Sequence, residues 1–385
     1  MNTEYPSTRR CTLEVRSIGP GGWQTTLHRS RLPPVTLELA VDEADRETPS
    51  VLDGPAAAAL PFAMLDGGDL FVEGPVTRGA LKNFTEFSEV WHSWNPSRLH
   101  RLRIGAASIT DGPGYTGPRH AIAAWSGSMR STHTLIRHLT ASVPGAFALQ
   151  GALRVVGFCP DDDAASLTSA RSALTELGLP LRVVRIRSDA PRITDPEIGA
   201  LPWIAAALHA VAGGRAVGLH ARSHRCTANL RYPRPGPDPA DIWSGDAQPI
   251  YADGGSATLA HIARDLAPYP ELLSQISNCH RHPRHLPPCG RCPDCVITAL
   301  AFLGNATTLA HRIRKPNRFR VATLPLPNPA QVDDAFSILD EWSSGEPAPR
   351  NALSFRLLRH QQAARFREVT RWLGSAVGIY PLSSR

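Results

Sequence analysis

The residues with the clearest chemistry are four cysteines, Cys279, Cys289, Cys292 and Cys295, spaced C-x9-C-x2-C-x2-C. Two CxxC steps share Cys292, so three thiolates come within reach of one ion, and the loop from Cys279 to Cys289 returns a fourth. Zn²⁺ takes four such ligands in tetrahedral geometry, and a site closed by four protein ligands is structural. Gly290 permits the tight turn between the second and third ligands, and Pro293 stiffens the next one. His280, His282 and His285 compete as ligands, but a four-cysteine site leaves them no vacancy. A redox CxxC pair, unligated thiols and an iron–sulfur cluster are the alternatives, because thiolates alone do not choose the metal.

A second candidate is the stretch Ser126-Gly127-Ser128-Met129-Arg130-Ser131-Thr132, set between a strand pattern and a helical one. A small-residue turn that opens a helix is an anion site, because free backbone N–H groups and the positive helix end point at the same spot. Ser126, Ser128 and Ser131 add hydroxyl donors, while Gly127 keeps the backbone open for close approach. An ordinary strand-to-helix turn has the same look. Asp161, Asp162 and Asp163 follow the next strand, where one of them would meet a ribose or Mg²⁺, or where the run simply caps a helix. His220 ends a later strand at the same edge, whereas His133 and His138 read as packing or surface residues of the first crossover helix. No Ser–His–Asp arrangement, Walker P-loop or H-E-x-x-H is visible, which argues against hydrolases of those types.

These residues need elements to position them. From Ala121 onward, strands alternate with helices, the pattern of a parallel sheet covered on both faces. Strands are expected at Ala121–Trp125, Leu153–Phe158, Leu181–Ile186 and Ala216–His220, with crossover helices at Ser131–Thr140, Ala164–Leu177 and Ile198–Val211. The Pro-, Asp- and Gly-rich stretch Arg231–Gln248 reads as a long loop. Helices near Thr258–Ala267 and Cys295–Leu303 bracket the cysteines, and two more, near Pro329–Trp342 and Asn351–Leu373, close the chain. Before Ala121 the expectation is a small α+β unit. Its strands are Cys11–Val15, Val35–Val41, Asp69–Val72 and His100–Ile104, and its helix is Thr77–Trp94, with Leu81, Phe84, Trp91 and Trp94 on one face. The loop Thr110–Pro118 then reads as a domain connection.

The loop after the first parallel strand and the cysteine spacing together resemble the cyano-deazaguanine synthases of queuosine biosynthesis, members of the PP-loop ATP pyrophosphatase superfamily. The resemblance runs from about Ala121 to Leu303, and Ala216-Val217-Gly218-Leu219-His220 is similar to that family's fourth strand. It implies a Rossmann-like fold related to the adenine nucleotide alpha hydrolases, ATP and Mg²⁺ at the loop, adenylation of a carboxylate, and displacement of AMP by a nitrogen nucleophile. The family loop reads Ser-Gly-Gly-x-Asp-Ser, whereas this chain has Ser128 for the second glycine and Arg130 for the aspartate. Carried over residue by residue, Ser126, Gly127 and Ser131 keep phosphate-binding positions, and Arg130 would pair with a phosphate directly rather than help to hold Mg²⁺. The family's substrate-reading stretch is not evident in Ala221–Tyr232, so the deazaguanine substrate does not carry over.

Composition bounds these readings. With 385 residues and 42% of them hydrophobic, the chain can bury a full core. Its polar N-terminus lacks an apolar leader pattern, and the longest apolar run, Ala56–Leu65, is too short to span a bilayer. A soluble, cytoplasmic protein with no membrane partner is the expectation. Seven cysteines, four of them within seventeen residues, suit metal ligation in a reducing compartment better than a disulfide framework. The net charge of +7 suggests phosphate or nucleic acid, but only Lys82 and Lys315 are lysines among 41 basic residues, so arginine enrichment reads as compositional bias. The run His311–Arg320 is read as a solvated segment, and no nucleic-acid partner is expected.

Three parts are therefore expected: an α+β domain at 1–118, a PP-loop-like α/β domain at 119–310 carrying the zinc site, and a helical segment at 311–385. The expected function is an ATP-dependent ligase for a small-molecule or peptide carboxylate, with Arg130 and His220 at the reaction centre. Ser126, Gly127, Ser128, Arg130, Ser131 and Asp161 would be at the nucleotide. A non-catalytic zinc scaffold with a protein partner, or a homodimer, and an RNA-modifying enzyme of the same superfamily are the other readings.

Overall fold

The computed structural model describes residues 9–19, 21–42, 50–112, 120–157, 164–190, 199–212, 214–221, 240–273, 275–276, 279, 289–305, 316–326, 329–343 and 347–376. The chain divides into two compact units, Met1–Ala257 and Thr258–Arg385.

The first unit is built on a ten-stranded, mostly parallel sheet. Strands β1 (Arg10–Gly19), β2 (Gly22–His28) and β3 (Val35–Val41) form an antiparallel meander. In β3 the alternation of Val35, Leu37 and Leu39 with Thr36 and Glu38 puts the apolar set on one buried face. Helix α1 (Asp53–Asp66) leads to β4 (Asp69–Thr77), α2 (Arg78–Trp94) leads to β5 (Ile104–Thr110), and β4 pairs in parallel with both β1 and β5.

The parallel half follows as β6 (His120–Ala124), α3 (Met129–Leu139), β7 (Ala148–Val156), α4 (Ala164–Glu176), β8 (Leu181–Ser188), α5 (Leu201–Ala212), β9 (Val217–Ala221) and β10 (Ile250–Asp253). Its spatial order is β8-β7-β6-β9-β10, so the chain steps outward from β6 to β8, then returns to the other side of β6. Right-handed crossovers then place α3 and α4 on one face and α5 on the other. The core agrees, since α5 shares one apolar cluster with α1 and α2. Strand β6, at the centre, is Ala121-Ile122-Ala123-Ala124 with both faces buried.

The sheet runs without interruption through the boundary expected near residue 118. Strand β3 pairs antiparallel with β8, from Leu37 opposite Ser188 to Val41 opposite Val184, and the Arg185 guanidinium donates to Asp42 through Nε (2.8 Å) and Nη2 (2.9 Å). The meander is therefore an extension of the parallel sheet rather than a layer of its own, and the units divide at 257/258, not at 118 and 310. The second unit holds α6 (Leu259–Leu266), α7 (Pro270–Leu273), α8 (Pro293–Gly304), α9 (Arg318–Ala322), α10 (Pro329–Asp340) and α11 (Pro347–Ala376). Asn305 ties α8 to α6, donating from Nδ2 to the carbonyls of Ala260 (2.9 Å) and Ala301 (2.8 Å). No helix of the described residues is long and apolar enough to cross a membrane.

Buried Asp66 fastens the turn between β2 and β3 to the end of α1. Its carboxylate accepts from Ser30 N (3.0 Å), Ser30 Oγ (2.6 Å), Arg31 N and Leu32 N (both 3.0 Å) and the Cys11 thiol (3.4 Å). Burial alone would raise its pKa; these hydrogen bonds outweigh burial and hold it below the ordinary carboxylate range. A depressed pKa contributes stability that is present above the unfolded value and lost as pH falls through the folded one. Asp66→Asn should cost about 2 kcal/mol in urea unfolding at neutral pH, and the gap to the native chain should narrow below about pH 4. An equal gap at neutral and acid pH would contradict this role.

Candidate functional site

At the carboxyl end of β6 the chain leaves the sheet through Trp125, whose N–H still bonds the Leu153 carbonyl of β7 (2.7 Å). Gly127 then adopts φ +78°, a left-handed conformation that costs a side-chain-bearing residue roughly 1–2 kcal/mol. The turn delivers Ser128 to the N-cap of α3 with extended backbone, and its Oγ accepts from Ser131 N (3.2 Å). The helix thus begins with its positive end at the loop and with no acidic residue in its first turn.

The three serines bond one another. Ser131 Oγ accepts from Ser126 N (3.2 Å) and lies 3.3 Å from Ser126 Oγ and 3.0 Å from Ser128 Oγ, while Ser126 Oγ accepts from Ser128 N (3.3 Å). Hydroxyls therefore already occupy the N–H groups of Ser126, Ser128 and Ser131, and an incoming anion would have to take their place or use the N–H groups of Gly127 and Met129. Ser126 is exposed, Ser128 and Arg130 are half-buried, and Gly127 and Ser131 are buried.

The neighbours of this loop follow from the register. Ala123 of β6 lies opposite Leu219 of β9, so His220 stands at the adjacent position of the next strand, level with the loop's start. The strand order reverses between β6 and β9, and ligands of open α/β sheets bind outside the carboxyl ends at such a reversal. The structure thus brings Ser126, Gly127, Ser128, Arg130, Ser131 and His220 to one edge. Asp161, with Asp162 and Asp163, lies outside the described residues, as do Arg231–Pro239 of the expected long loop. Trp125 and Arg154 were not singled out from sequence. The Arg154 guanidinium sits over the Trp125 ring, 6.0 Å from its centroid, and Nη2 reaches Ser166 Oγ at 3.4 Å, which adds a cation near the loop. Nothing in an isolated arginine on a strand pattern signals that placement.

His133 and His138 are both buried in α3, as packing residues are. His138 Nδ1 accepts from Phe147 N (3.0 Å), which leaves the proton on Nε2, 3.6 Å from Asp253 Oδ1. Arg137 Nη1 (3.2 Å) and Thr134 Oγ1 (2.9 Å) complete the pairing of Asp253 and pin the end of β10 to α3.

In the second unit the four cysteine sulfurs all lie within 4.8 Å of one another, close enough to hold one metal ion. A tetrahedral ion with Zn–S near 2.3 Å would set its thiolates about 3.8 Å apart. Cys289 and Cys295 already stand at 3.7 Å. Gly290, at φ +62°, makes the turn that lets the N–H groups of Arg291 and Cys292 both donate to Cys289 Sγ at 3.4 Å. Cys292 is the N-cap of α8 and accepts from Cys295 N at 3.5 Å, so the second CxxC step is the first turn of a helix. Burial raises the thiol pKa of Cys292 and Cys295. At Cys289 burial also pushes upward, but the N–H groups of Cys292 and Arg291 and the thiols of Cys279 and Cys295 outweigh it and bring the group down to about 6. Such a set gives one ready thiolate and two thiols that need a cation to ionise, which is what a bound metal supplies. Arg320, the last residue of the basic run, donates from Nη1 to the Gly290 carbonyl (3.1 Å), and Gln331 Nε2 donates to Asp294 (3.0 Å), so α9 and α10 brace both turns. His280, His282 and His285 lie outside the described residues.

Two outcomes follow for the cysteines. Elemental analysis of the purified chain should find close to one equivalent of metal, and Cys292→Ser should lose it together with several degrees of Tm, since binding energy at such a site is folding energy. Metal-free protein with an unchanged melting temperature would contradict the assignment. Comparison of the chain with protein-family models, with curated proteins and with solved structures finds no match.

Proposed function

We propose that the crevice between β6 and β9 binds an adenine nucleotide, its phosphates at the loop Ser126–Ser131, and that the chain is an ATP-dependent ligase of the PP-loop kind, similar to the cyano-deazaguanine synthases. One observation carries the reading. The left-handed glycine turn and the N-terminus of α3 fall at the point where the strand order reverses, and His220 flanks them from the next strand. The substrate would be a carboxylate of a small molecule or peptide. A carboxylate oxygen attacks the α-phosphorus and the bond to pyrophosphate breaks. An amine then attacks the acyl carbon, AMP leaves with the bonding pair, and the amine proton is lost, giving an amide.

The residues present define what each would do. The N–H groups of Gly127 and Met129 and the helix end hold phosphate oxygens, with the Ser126 and Ser131 hydroxyls swinging from each other to the ligand. Arg130, in the first turn of α3, neutralises phosphate charge. His220 orients or deprotonates the nucleophile. Mg²⁺, where the reaction uses it, would supply charge neutralisation at the phosphates, but Arg130 stands where the family has its aspartate, so this loop offers the ion no carboxylate. The cysteine cluster, with four sulfurs and no oxygen ligand, suits zinc in a structural role.

That same Arg130, with the serine-satisfied loop, favours a second reading in which the fold binds a phosphate ligand as a scaffold without turnover. Exchange of labelled pyrophosphate into ATP, assayed with pools of amino and hydroxy acids, separates the two. The ligase reading expects carboxylate-dependent exchange that Arg130→Ala reduces about tenfold or more, as loss of a charge-assisted phosphate contact does. Calorimetric binding of AMP without any exchange supports the scaffold, and absence of both removes the nucleotide site. Gly127→Ala should weaken AMP binding about tenfold by straining the turn, with little change in the far-UV spectrum.

A further inference from the structure

Charge divides unevenly between the two units. Residues 1–257 hold 25 Lys and Arg against 25 Asp and Glu, and residues 258–385 hold 16 against 9, so the whole net charge of +7 belongs to the second unit. A preference for arginine over lysine exchanges one cation for another and adds no net charge, so compositional bias does not explain the difference. Within this unit two arginines fasten three elements together. Arg320 of α9 donates to the Gly290 carbonyl in the cysteine turn (3.1 Å), and Arg356 of α11 donates from Nε to the Leu324 carbonyl just beyond α9. The residues beside these contacts are exposed: Arg291 next to Gly290, Arg318 and Phe319 next to Arg320, and Phe355 and Arg359 on α11. Phe319 is 73% exposed and Phe355 53%, so neither ring serves the core. The Arg359 guanidinium lies over the Phe355 ring, 5.8 Å from its centroid. Among the described residues no carboxylate pairs with Arg291, Arg318 or Arg359. Burial, and then Arg359, lower the pKa of Arg356, so cations crowd here without a counter-charge. We propose that this face, built from the cysteine turn, α9 and α11, binds a single-stranded polynucleotide, with Arg291, Arg318 and Arg359 on its phosphates and Phe319 and Phe355 stacked on its bases.

Charge and geometry select that occupant over the other candidates for a face both basic and apolar. A second copy would bring two units of the same sign together, a repulsion that opposes association. A lipid surface takes a helix whose apolar and cationic residues lie on opposite sides. Here they share a side, because Arg359 covers Phe355, and that ring would enter hydrocarbon only by drawing a guanidinium with it. An acidic polypeptide would answer the charges and leave the rings in water. A single strand answers both, since every nucleotide joins one phosphate to one flat π-face, and aromatic rings set among cations are how grooves for single strands are built.

Fluorescence anisotropy of a labelled oligothymidylate of about fifteen nucleotides, titrated with the full-length chain, tests the proposal. Binding should be micromolar at low salt, and log K should fall with log salt at a slope of about −2, because a single strand contributes about 0.7 for each of three phosphates neutralised. Arg318→Ala and Arg359→Ala should each reduce that slope by about 0.7 and leave Tm unchanged. Phe319→Ala should weaken binding about tenfold without changing the slope, whereas Phe319→Trp, which keeps a flat ring, should retain it. Absence of binding, a slope indifferent to both arginines, or Phe319→Ala binding as tightly as the native chain would overturn the proposal. So would equal displacement of the oligonucleotide by polyglutamate, which marks a site for acidic polypeptide, or tighter capture by phosphatidylserine vesicles, which marks a lipid surface.

Discussion

Two crossovers leave and rejoin the sheet on opposite sides of β6, and the right-handedness of such connections drives their helices to opposite faces. The carboxyl end of β6 is then the one place in the parallel half where neither neighbouring crossover covers the strand's exit. The nucleotide site proposed for the first unit depends on that constraint. It leaves Ser126 exposed, aims the N-terminus of α3 at the turn, and sets His220 beside it on β9. The interior of the sheet provides the rigidity. β6 is buried on both faces, β3 continues the sheet beyond β8, and α1 and α5 pack together as alanine-rich helices that approach closely.

The chemistry of the loop reflects a balance between two sets of acceptors. In the structure the serine hydroxyls satisfy the backbone donors, so the turn is stable without a ligand. A phosphate would displace hydroxyl oxygens with better, charged acceptors, and Arg130 would add a charge-assisted contact. Ser128 supplies the N-cap in this network, and its Oγ lies 3.0 Å from Ser131 Oγ. The cysteine centre is a separate device in a separate unit, where a helix N-cap and a left-handed glycine bring the sulfurs together.

Much of the parallel half was legible in the sequence, since β6, β8, α3 and α4 fall within a few residues of the spans expected from apolar spacing and caps, as does α2 before it. What escaped did so for physical reasons. Helix α1 is apolar all round and carries Pro61, so it shows no helical periodicity, because it is buried on every side. Strand β5 was expected at His100–Ile104 and lies at Ile104–Thr110, because Gly105, Ala106, Ala107 and Ser108 are small residues with weak strand preference. β10, four residues long just beyond the expected loop Arg231–Gln248, and β2 carried too little pattern to be marked. The break expected near residue 118 reflects composition alone. Pairing of β3 with β8 joins residues far apart in sequence, and nothing local announces it. The candidate residues of the loop were visible as a motif, whereas the serine hydrogen bonds and the cation of Arg154 over Trp125 depend on three-dimensional placement.

The central claim is that the edge between β6 and β9 receives nucleotide phosphate. A crystal structure of the chain grown with AMP tests it most directly. The account requires the phosphate within hydrogen-bonding distance of the Gly127 and Met129 N–H groups, with the Ser126–Ser131 hydroxyl contact broken and the Arg130 guanidinium turned onto the ligand. Nucleotide bound elsewhere, or an occupied crystal condition in which the three serines keep their mutual hydrogen bonds and no phosphate density meets the helix end, would contradict it.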